Sequence, residues 1–152
     1  MNMGEKIALR PFSHDDAAVI RENMMPDAPA EEVSALIEDW GTKRFAGKYF
    51  EMLALTVDGT VVGSVSLYEH TEKVASVGAE IFPGERGKGY ATHGLRLLLE
   101  KARNLGYRLL MDQVRADNRA SIALHEKLGF ETDAYVYKNA RDHSVLLYLL
   151  FL

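Results

Sequence analysis

The chain has 152 residues, of which 47% are apolar and 26% are charged, with a net charge of −4 and a pI of about 5.7. This length allows one substantial core, and we expect a single domain over residues 1–152. The acidic balance argues against nucleic acid as the main partner. No apolar stretch is long enough to span a membrane, and no cysteine is present to form a disulfide or to act as a thiol nucleophile.

The first third of the chain predicts a short strand and two helices. Lys6–Arg10 alternates apolar and polar residues, as a half-buried strand does. Ser13 followed by Asp16 has the spacing of a capping box, with Asp in place of the usual Glu, and predicts a helix that ends near Met24. The apolar stripe of the next segment predicts a second helix from Ala30 to about Arg44.

The middle of the chain predicts three antiparallel strands. Two apolar runs, Phe50–Val57 and Val61–Tyr68, flank Asp58-Gly59, a dipeptide that favours the tight turn of a β-hairpin. A further turn leads to a strand at Val74–Phe82. These strands are joined too closely for crossover connections, so each pair of neighbours should be antiparallel.

A glycine-rich turn follows, with the sequence Pro-Gly-Glu-Arg-Gly-Lys-Gly-Tyr-Ala at residues 83–91. It leads into a helix predicted from Tyr90 to about Leu105. Unpaired backbone N–H groups and the positive end of the helix dipole favour an anion at such a helix start. Gly87 and Gly89 let an anion approach the backbone closely, and the neighbouring Arg and Lys add positive charge. The turn therefore predicts a pyrophosphate site.

Other glycine motifs fit this turn less well. A Walker A loop needs Ser or Thr after Gly-Lys, and here Gly89 follows Lys88. The dinucleotide fingerprint G-x-G-x-x-G has Thr92 in place of its third glycine, although Asp112 lies about twenty residues further on, where that fingerprint has an acid. A plain helix start with spare glycines is the remaining alternative.

The last third of the chain predicts a strand at Arg108–Arg115, a helix from Asn118 to Gly129, and strands at Phe130–Tyr137 and Ser144–Leu152. The last strand is apolar on both faces, so we expect it to be interior or covered. Together the elements predict an α+β fold. Its sheet is mixed, mostly antiparallel and seven-stranded, and about four helices flank it.

Two segments of the chain resemble the GNAT superfamily of acyl-CoA N-acyltransferases. Residues 86–91, Arg-Gly-Lys-Gly-Tyr-Ala, match its Arg/Gln-x-x-Gly-x-Gly/Ala signature. Residues 118–130, Asn-Arg-Ala-Ser-Ile-Ala-Leu-His-Glu-Lys-Leu-Gly-Phe, match its Asn-x-x-Ser/Ala-x-x-Leu-Tyr/His-x-x-x-Gly-Phe helix. Both segments occur in the family's order and at its usual separation. The resemblance covers about residues 77–130, and the N-terminal half matches in element order alone.

The resemblance implies the GNAT-type fold and acetyl-CoA as the co-substrate. It implies that backbone groups of the strand before the turn bind the pantetheine arm, and that the turn holds the pyrophosphate. Asn118 resembles the family's asparagine that contacts the cofactor, with an ordinary helix N-cap as a second role that it can fill at the same time. The expected cofactor-binding residues are Ala79, Ile81, Arg86, Gly87, Lys88, Gly89, Tyr90, Ala91 and Asn118.

Glu80 is a carboxylate on the strand that leads into the turn. It shares a strand face with Ser76, Gly78 and Phe82. A buried and unpaired carboxylate is costly, so Glu80 should lie at an open cleft or in an ion pair. Partial burial would make it a better proton acceptor, which suits a general base acting directly or through water. Several relatives carry a glutamate near this place. A structural ion pair with Arg108 or another base is an equally good alternative.

His125 lies seven residues after Asn118, so both side chains project from the same side of one helix. The family most often has tyrosine here as the proton donor to the departing thiolate, and some relatives have histidine. An imidazolium can donate that proton, whereas a neutral imidazole can accept one from the amine. A histidine packed between Ser121 and Leu128 is the alternative.

We therefore predict an N-acetyltransferase that moves the acetyl group of acetyl-CoA to a primary amine, with Glu80 and His125 as the catalytic pair. The lack of cysteine favours direct attack in a ternary complex over a cysteinyl acyl-enzyme. The alternative is a non-catalytic acyl-CoA sensor or interaction module on the same fold. Polyamine, aminoglycoside, amino acid and protein N-terminus all stay open as acceptors.

The remaining expectations concern location and partners. We expect a cytoplasmic protein, because no charged and then apolar leader opens the chain. We expect a small-molecule or peptide amine as the acceptor, with no nucleic acid and no membrane as partners. A homodimer built on the apolar C-terminal strand is compatible with either function. The five histidines show no metal-ligand spacing, so no metal is expected.

Overall fold

Eight strands and four α-helices make up residues 4–152, the part of the chain that the computed structural model describes. The strands are β1 (Ile7–Pro11), β2 (Arg44–Phe45), β3 (Lys48–Val57), β4 (Thr60–Thr71), β5 (Val74–Ile81), β6 (Leu109–Arg115), β7 (Tyr137–Lys138) and β8 (Ser144–Phe151). The helices are α1 (Ala17–Met24), α2 (Ala30–Gly41), α3 (Tyr90–Asn104) and α4 (Arg119–Lys127). None of these helices is long and apolar enough to cross a membrane.

The strands form one mixed sheet in the order β1-β3-β4-β5-β6-β8-β7, with β2 paired to β3. Within the described residues, β5 and β6 are the one parallel pair, and the other neighbours are antiparallel. The helix α3 supplies the crossover that a parallel connection needs. The predicted α+β class and the mostly antiparallel, mixed sheet are confirmed.

The predicted hairpin between β3 and β4 is also confirmed. Val57 pairs with Thr60, which leaves Asp58 and Gly59 as a two-residue loop. Both loop residues have positive φ angles, 50° and 84°. This is the conformation that matches the right-handed twist of the two strands, and Asp-Gly adopts it readily.

Helices cover both faces of the sheet. Along β3, Leu53 packs in the cluster that contains the buried face of α3, whereas its neighbour Ala54 packs against α1 and α2. Side chains alternate between the two faces of a strand, so α3 lies on one face and the α1–α2 pair on the other. The buried side chains of α3 are those expected from its periodicity, including Leu95, Leu98 and Ala102.

The start of α1 is fastened to the first strand by a buried carboxylate. Asp16 accepts two hydrogen bonds from the guanidinium of Arg10, at 2.8 and 2.9 Å, and one from the backbone N–H of Ser13 at 2.8 Å. The bonds from Arg10 outweigh the burial of Asp16 and hold the pKa of this carboxyl below its ordinary value. A short 3-10 turn at His14–Asp16 precedes the α-helix itself.

The second helix ends earlier than the predicted boundary near Arg44. It stops at Gly41, where the hydroxyl of Thr42 donates to the carbonyl of Asp39 at 2.6 Å. Lys43 then takes a positive φ of 56°, and the next two residues pair with β3 as strand β2. A side-chain hydrogen bond to the last turn competes with helix continuation, which is why the helix ends there.

The predicted strand Phe130–Tyr137 is wrong for most of its length. Glu131 forms an isolated bridge with Leu149, and regular pairing resumes only at Tyr137. Between them, the side chains of Thr132 and Asp133 accept hydrogen bonds from backbone N–H groups two residues further on. Such local bonds turn the chain away from the sheet. The apolar strand β8 therefore pairs with β6 along one edge. Its other edge is paired only at its start, with β7, and at Leu149, with Glu131.

Candidate active site

The turn between β5 and α3 leaves its backbone open to an anion. Gly87 and Gly89 have φ angles of 78° and 82°, a left-handed conformation that residues with a side chain rarely adopt. A Cβ atom at Gly87 would meet nothing within 4 Å, and one at Gly89 would meet only a His93 ring atom at 3.9 Å. Protein packing therefore does not fill the space in front of the turn. Because the N–H groups of the first turn of α3 point towards this space, it suits a phosphate.

The two basic residues of the turn differ in their surroundings. Arg86 donates from Nε to the carbonyl of Ile81 at 3.0 Å, which fixes the guanidinium at the end of β5. Lys88 is exposed and pairs with Glu85 at 3.0 Å, and this hydrogen bond raises the pKa of Lys88. The charge of Lys88 is thus already balanced, whereas Arg86 has no ion pair among residues 4–152.

A cleft of about 780 Å³ lies between this turn and α4. This volume is in the range of sites that hold a cofactor-sized ligand. Nearly all of the cofactor-binding residues predicted from the sequence line the cleft, and Lys88 is the exception. They are Ala79, Ile81, Arg86, Gly87, Gly89, Tyr90, Ala91 and Asn118.

Two of these residues also have structural roles. Asn118 caps α4, because its side-chain oxygen accepts the N–H of Ser121 at 3.0 Å. The ring of Tyr90 is buried, and its hydroxyl donates to Glu5 at 3.2 Å. The side chain of Tyr90 thus ties the start of α3 to the segment before β1, and its backbone N–H is the group left for an anion.

A second cavity, of about 320 Å³, lies where β5 and β6 part. Their parallel pairing ends at Ala75 and Leu110, and β5 then continues alongside β4 alone. The cavity and the larger cleft share Ala79, Ser121 and Leu124 in their walls. The two cavities are therefore neighbours, one at the glycine turn and one at the gap between the two strands.

His125 lies at this gap and is buried, with 7% of its surface exposed. Its Nε2 is 2.7 Å from Asp112 Oδ2, and its Nδ1 is 2.7 Å from the carbonyl oxygen of Ser121. A carbonyl oxygen only accepts, so Nδ1 carries a hydrogen. Burial alone would lower the pKa of His125, but the hydrogen bonds to Asp112 and Ser121 outweigh it and raise the pKa above its ordinary value. When the ring is protonated, both of its nitrogens donate, and it forms an ion pair with Asp112.

Sequence reasoning missed Asp112 and Ser121 as residues of this site. Asp112 is 5% exposed and contacts both β5 and α4. The available signal was a carboxylate between Leu110 and Val114 on one face of the strand, and a carboxylate within a strand also drew attention to Glu80. Ser121 carried no such signal, because its place in both cavity walls follows from the angle at which α4 packs on the sheet.

Glu80 is exposed and lines the larger cleft. It pairs across the sheet with Ser64, which pairs with Ala54, so its side chain projects from the face that α1 and α2 cover. Among residues 4–152 it forms no ion pair, neither with Arg108 nor with another base. The backbone of β5 thus separates Glu80 on one face from His125 on the other.

Several known proteins are similar to this chain in sequence or in fold. A family model described as acetyltransferase (GNAT) domain matches residues 6–131. The chain is 25% identical over 146 residues to the SPbeta prophage-derived uncharacterized N-acetyltransferase YokL of Bacillus subtilis, which covers 89% of this chain and 81% of that protein. It is 30% identical over 97 residues to the L-methionine sulfoximine/L-methionine sulfone acetyltransferase of Pseudomonas aeruginosa, covering 60% of this chain and 56% of that enzyme.

A solved structure gives the same result for the fold. Spermidine N-acetyltransferase from Vibrio cholerae, in complex with CoA and spermine, superposes with a TM-score of 0.76 at 18% sequence identity. The match covers 95% of each chain.

The fold and the glycine turn define an acyl-CoA-dependent transferase. Because the family model matches most of its length, the chain belongs to the GNAT acetyltransferase family. It is an acetyl-CoA-dependent N-acetyltransferase, and the resemblance seen in the two sequence motifs is confirmed. Residues 4–152 contain no group of three or more His, Asp or Glu side chains placed to hold a metal ion.

Proposed function

We propose that this enzyme transfers the acetyl group of acetyl-CoA to a cationic primary amine by direct attack, with both substrates bound at once. The observation that carries the proposal is the pair of neighbouring cavities, one at the glycine turn and one at the gap between β5 and β6, which share three wall residues. A ligand bound at the turn can place its reactive end at that gap. The chain has no cysteine to carry the acyl group covalently, which supports direct attack.

The residues present fit the cofactor. Backbone N–H groups at Gly87, Gly89 and Ala91 would hold the pyrophosphate, and the guanidinium of Arg86 would add a charged hydrogen bond. The backbone of Ala79 would bind the pantetheine arm, because the pairing of β5 with β6 has ended before this residue. Acetyl-CoA supplies an activated acyl group as a thioester, and these residues would position that group.

Glu80 is proposed to accept the proton of the attacking ammonium, directly or through a water molecule. An amine attacks only with its lone pair free, so a protonated acceptor must first lose a proton. Glu80 is a carboxylate at the cleft with no ion pair of its own among the described residues, and this leaves it free for that role. Binding of both substrates would shield it further from water.

His125 is proposed to lie beside the thioester sulfur, since it lines the gap. Both of its ring nitrogens are already bonded, to Asp112 and to the Ser121 carbonyl. To donate a proton to the thiolate, His125 would have to open one of these bonds. Water is the less costly proton source in this geometry, and the contribution of His125 is then mainly to the shape of the gap.

The acceptor is proposed to be cationic because the helices on the Glu80 face are acidic. Among the residues of α1 and α2, Arg21 is the one basic residue. The acidic residues there are Glu22, Glu31, Glu32, Glu38 and Asp39. A field of one sign on this face concentrates a substrate of the opposite sign. The similar Vibrio cholerae enzyme, which binds spermine, supports a polyamine as the first candidate.

Release of free CoA with a panel of amines tests the proposal. Because the chain has no cysteine, a thiol reagent detects CoA alone. We expect turnover with spermidine or another polycation, less with neutral amino acids, and none without an amine. Turnover with neutral amino acids alone would refute the cationic acceptor. No CoA release with any amine would favour an acyl-CoA sensor instead.

The Glu80→Gln variant tests the proton transfer. A placed general base typically contributes about 10²–10⁴-fold, so kcat should fall within that range while the affinity for acetyl-CoA stays the same. The matched control is Glu72→Gln, in the turn between β4 and β5, which should retain wild-type kcat. Wild-type kcat in Glu80→Gln, at all pH values, would remove Glu80 from the mechanism and leave water as the base.

A further inference from the structure

The point where β5 and β6 separate poses a hydrogen-bonding problem. Both strands continue past their last pair, Ala75 with Leu110, yet they no longer face each other. Each strand therefore has backbone groups that lack their next ladder partner. Leaving such groups buried and unpaired is costly, so a sheet that splits needs substitutes for the missing bonds.

Side chains supply these substitutes. The hydroxyl of Ser76, on β5, donates to the carbonyl of Met111, on β6. The N–H of Val77, on β5, donates to Asp112 Oδ1, on β6, at 3.0 Å. One side chain from each strand thus takes the place of a backbone partner at the point of divergence. A side chain reaches further than a backbone group, so the two strands stay hydrogen-bonded where they diverge.

Asp112 is in turn held by α4. Its second oxygen, Oδ2, accepts from His125 Nε2 at 2.7 Å, and the other ring nitrogen donates to the Ser121 carbonyl. The two oxygens of one carboxylate therefore join β5 to α4 across the base of the gap. Both Asp112 and His125 are buried, so water does not compete for these bonds.

The backbone beyond this point faces the gap. In a strand, every second residue directs its N–H and C=O towards the same neighbour, so Ala79 faces the side that Val77 faces. The Val77 N–H is taken by Asp112, and further along the Ile81 carbonyl is taken by Arg86. Ala79 lies between these two fixed points, in the wall of both cavities.

We propose that Asp112, oriented by His125, is a positioning residue that holds β5 and β6 apart and thereby presents the Ala79 backbone to the thioester arm of acetyl-CoA. The inference rests on the proposed function, since it assigns these residues to the same cofactor. It gives His125 a role that does not require it to release a proton. Both carboxylate oxygens of Asp112 are engaged, by Val77 and His125, so it acts through Val77 and the gap.

Asparagine can replace Asp112 in this arrangement, whereas leucine cannot. An asparagine oxygen still accepts the Val77 N–H, and its amide donates to the neutral form of His125. Leucine fills a similar volume but leaves the Val77 N–H and a ring nitrogen unpaired. Asp112→Leu should therefore raise the Kd for acetyl-CoA about tenfold or more. Asp112→Asn should recover most of that loss, to within about threefold of wild type.

The matched control is Val114→Ala, two residues along β6 on the same face and equally buried. It damages the packing of the strand without touching the gap. At a similar loss of stability, Val114→Ala should keep the wild-type Kd. If it weakens binding as much as Asp112→Leu does, or if Asp112→Leu binds as wild type does, the positioning role is wrong.

The double variant Asp112→Leu with His125→Leu separates stability from positioning. Replacing both members of a buried ion pair by apolar residues often restores stability. The double variant should be more stable than either single variant and still bind acetyl-CoA weakly, because the Val77 N–H has no partner. Recovery of affinity together with stability would overturn the proposal.

Hydrogen exchange in the wild-type enzyme keeps the test independent of how the variants fold. The Val77 amide should exchange far more slowly than the Ala79 amide, and CoA should slow exchange at Ala79. Equal exchange rates at the two amides before CoA is added would overturn the proposed role of Asp112. If the wild-type enzyme does not bind acetyl-CoA at all, the proposed function is wrong. Slow exchange at Val77 in that case would show that the hydrogen bond to Asp112 is nevertheless present.

Discussion

The proposed site consists of two regions that would hold the cofactor in different ways. At the glycine turn, residues 83–91, the proposed binding groups are backbone N–H groups placed by positive φ angles and by the start of α3. At the gap between β5 and β6, the arrangement depends on side chains from three separate elements, Ser76, Asp112 and His125. The turn is local in sequence, whereas the gap is assembled by the tertiary fold.

This difference decides what a substitution does in each region. A change in the turn alters the conformation of the groups that touch the ligand, so binding should suffer directly. A change in the gap leaves those groups intact and alters the distance between two strands. We therefore expect larger losses of affinity from the turn than from the gap, and more dependence on pH in the gap.

The largest effect is expected from Gly89→Val. A β-branched residue is strained at a φ of 82°, and its side chain enters the space proposed for the pyrophosphate. Each hydrogen bond to a charged group contributes about 1.5–3 kcal/mol, so losing two of them should raise the Kd for acetyl-CoA about 100-fold or more in a titration. Unchanged affinity in a folded Gly89→Val protein would move the cofactor elsewhere.

The matched control is Gly106→Val, after the C-terminal end of α3. Gly106 has a φ of 98° and nothing within 4 Å of its Cβ position, so the backbone strain is similar. It lies at the other end of the helix from the cleft. Gly106→Val should lose stability and keep the wild-type Kd, which would show that strain alone does not explain the effect of Gly89→Val.

A smaller effect should distinguish the two basic residues of the turn. Arg86→Ala removes a charged donor that is held in place by the Ile81 carbonyl, and affinity should fall about tenfold or more. Lys88 is exposed and already paired with Glu85, so Lys88→Ala should change affinity by no more than about threefold. Equal losses in the two variants would show that only net charge matters at the turn.

The sequence predicted the turn well because its information is local. Glycines at fixed spacing before a periodic helix predict a turn at the helix start, and Gly87 and Gly89 adopt the positive φ angles of such a turn. The anion site itself stays a prediction. The antiparallel pairing of β3, β4 and β5 followed from short connections and the Asp58-Gly59 turn. These are short-range features, and they depend little on how distant segments pack.

The gap could not be predicted because its partners meet only in the folded sheet. Asp112 lies in a strand whose pattern says nothing about where the pairing with β5 stops. The wrong strand at Phe130–Tyr137 has a local cause instead, because Thr132 and Asp133 form side-chain bonds to nearby backbone that outcompete sheet pairing. The sequence placed His125 on the correct side of α4, but its carboxylate partner follows from the register of β6 with β8.

The smallest effect concerns the pH dependence of stability. The pKa of His125 is raised above its ordinary value of 6.5, chiefly by Asp112 and the Ser121 carbonyl acting against burial. Its contribution to the free energy of unfolding is therefore fully present below pH 6.5 and is lost as the pH rises through the folded-state value. Urea titrations between pH 5.5 and 9 should show this decline, with all buffers at about 0.15 M ionic strength.

Asp112→Asn is the control for this decline, because it removes the charge that keeps His125 protonated. The variant should show a flatter profile in the same pH range. The pair of Arg10 and Asp16 does not interfere, because the lowered pKa of Asp16 places its effect in the acid range, where stability is lost as the pH falls. A profile in Asp112→Asn that declines as steeply as in the wild type would assign the decline to another group.

The most direct test of the account is a titration of the ¹⁵N-labelled enzyme with acetyl-CoA, followed by the backbone amide signals. We expect saturable chemical-shift changes at the amides of Gly87, Gly89 and Ala91 in the turn and of Ala79 in the gap. The Val77 amide should keep the position of a group already bonded to a carboxylate. Shifts confined to surfaces away from the cleft, or no saturation at millimolar acetyl-CoA, would contradict it.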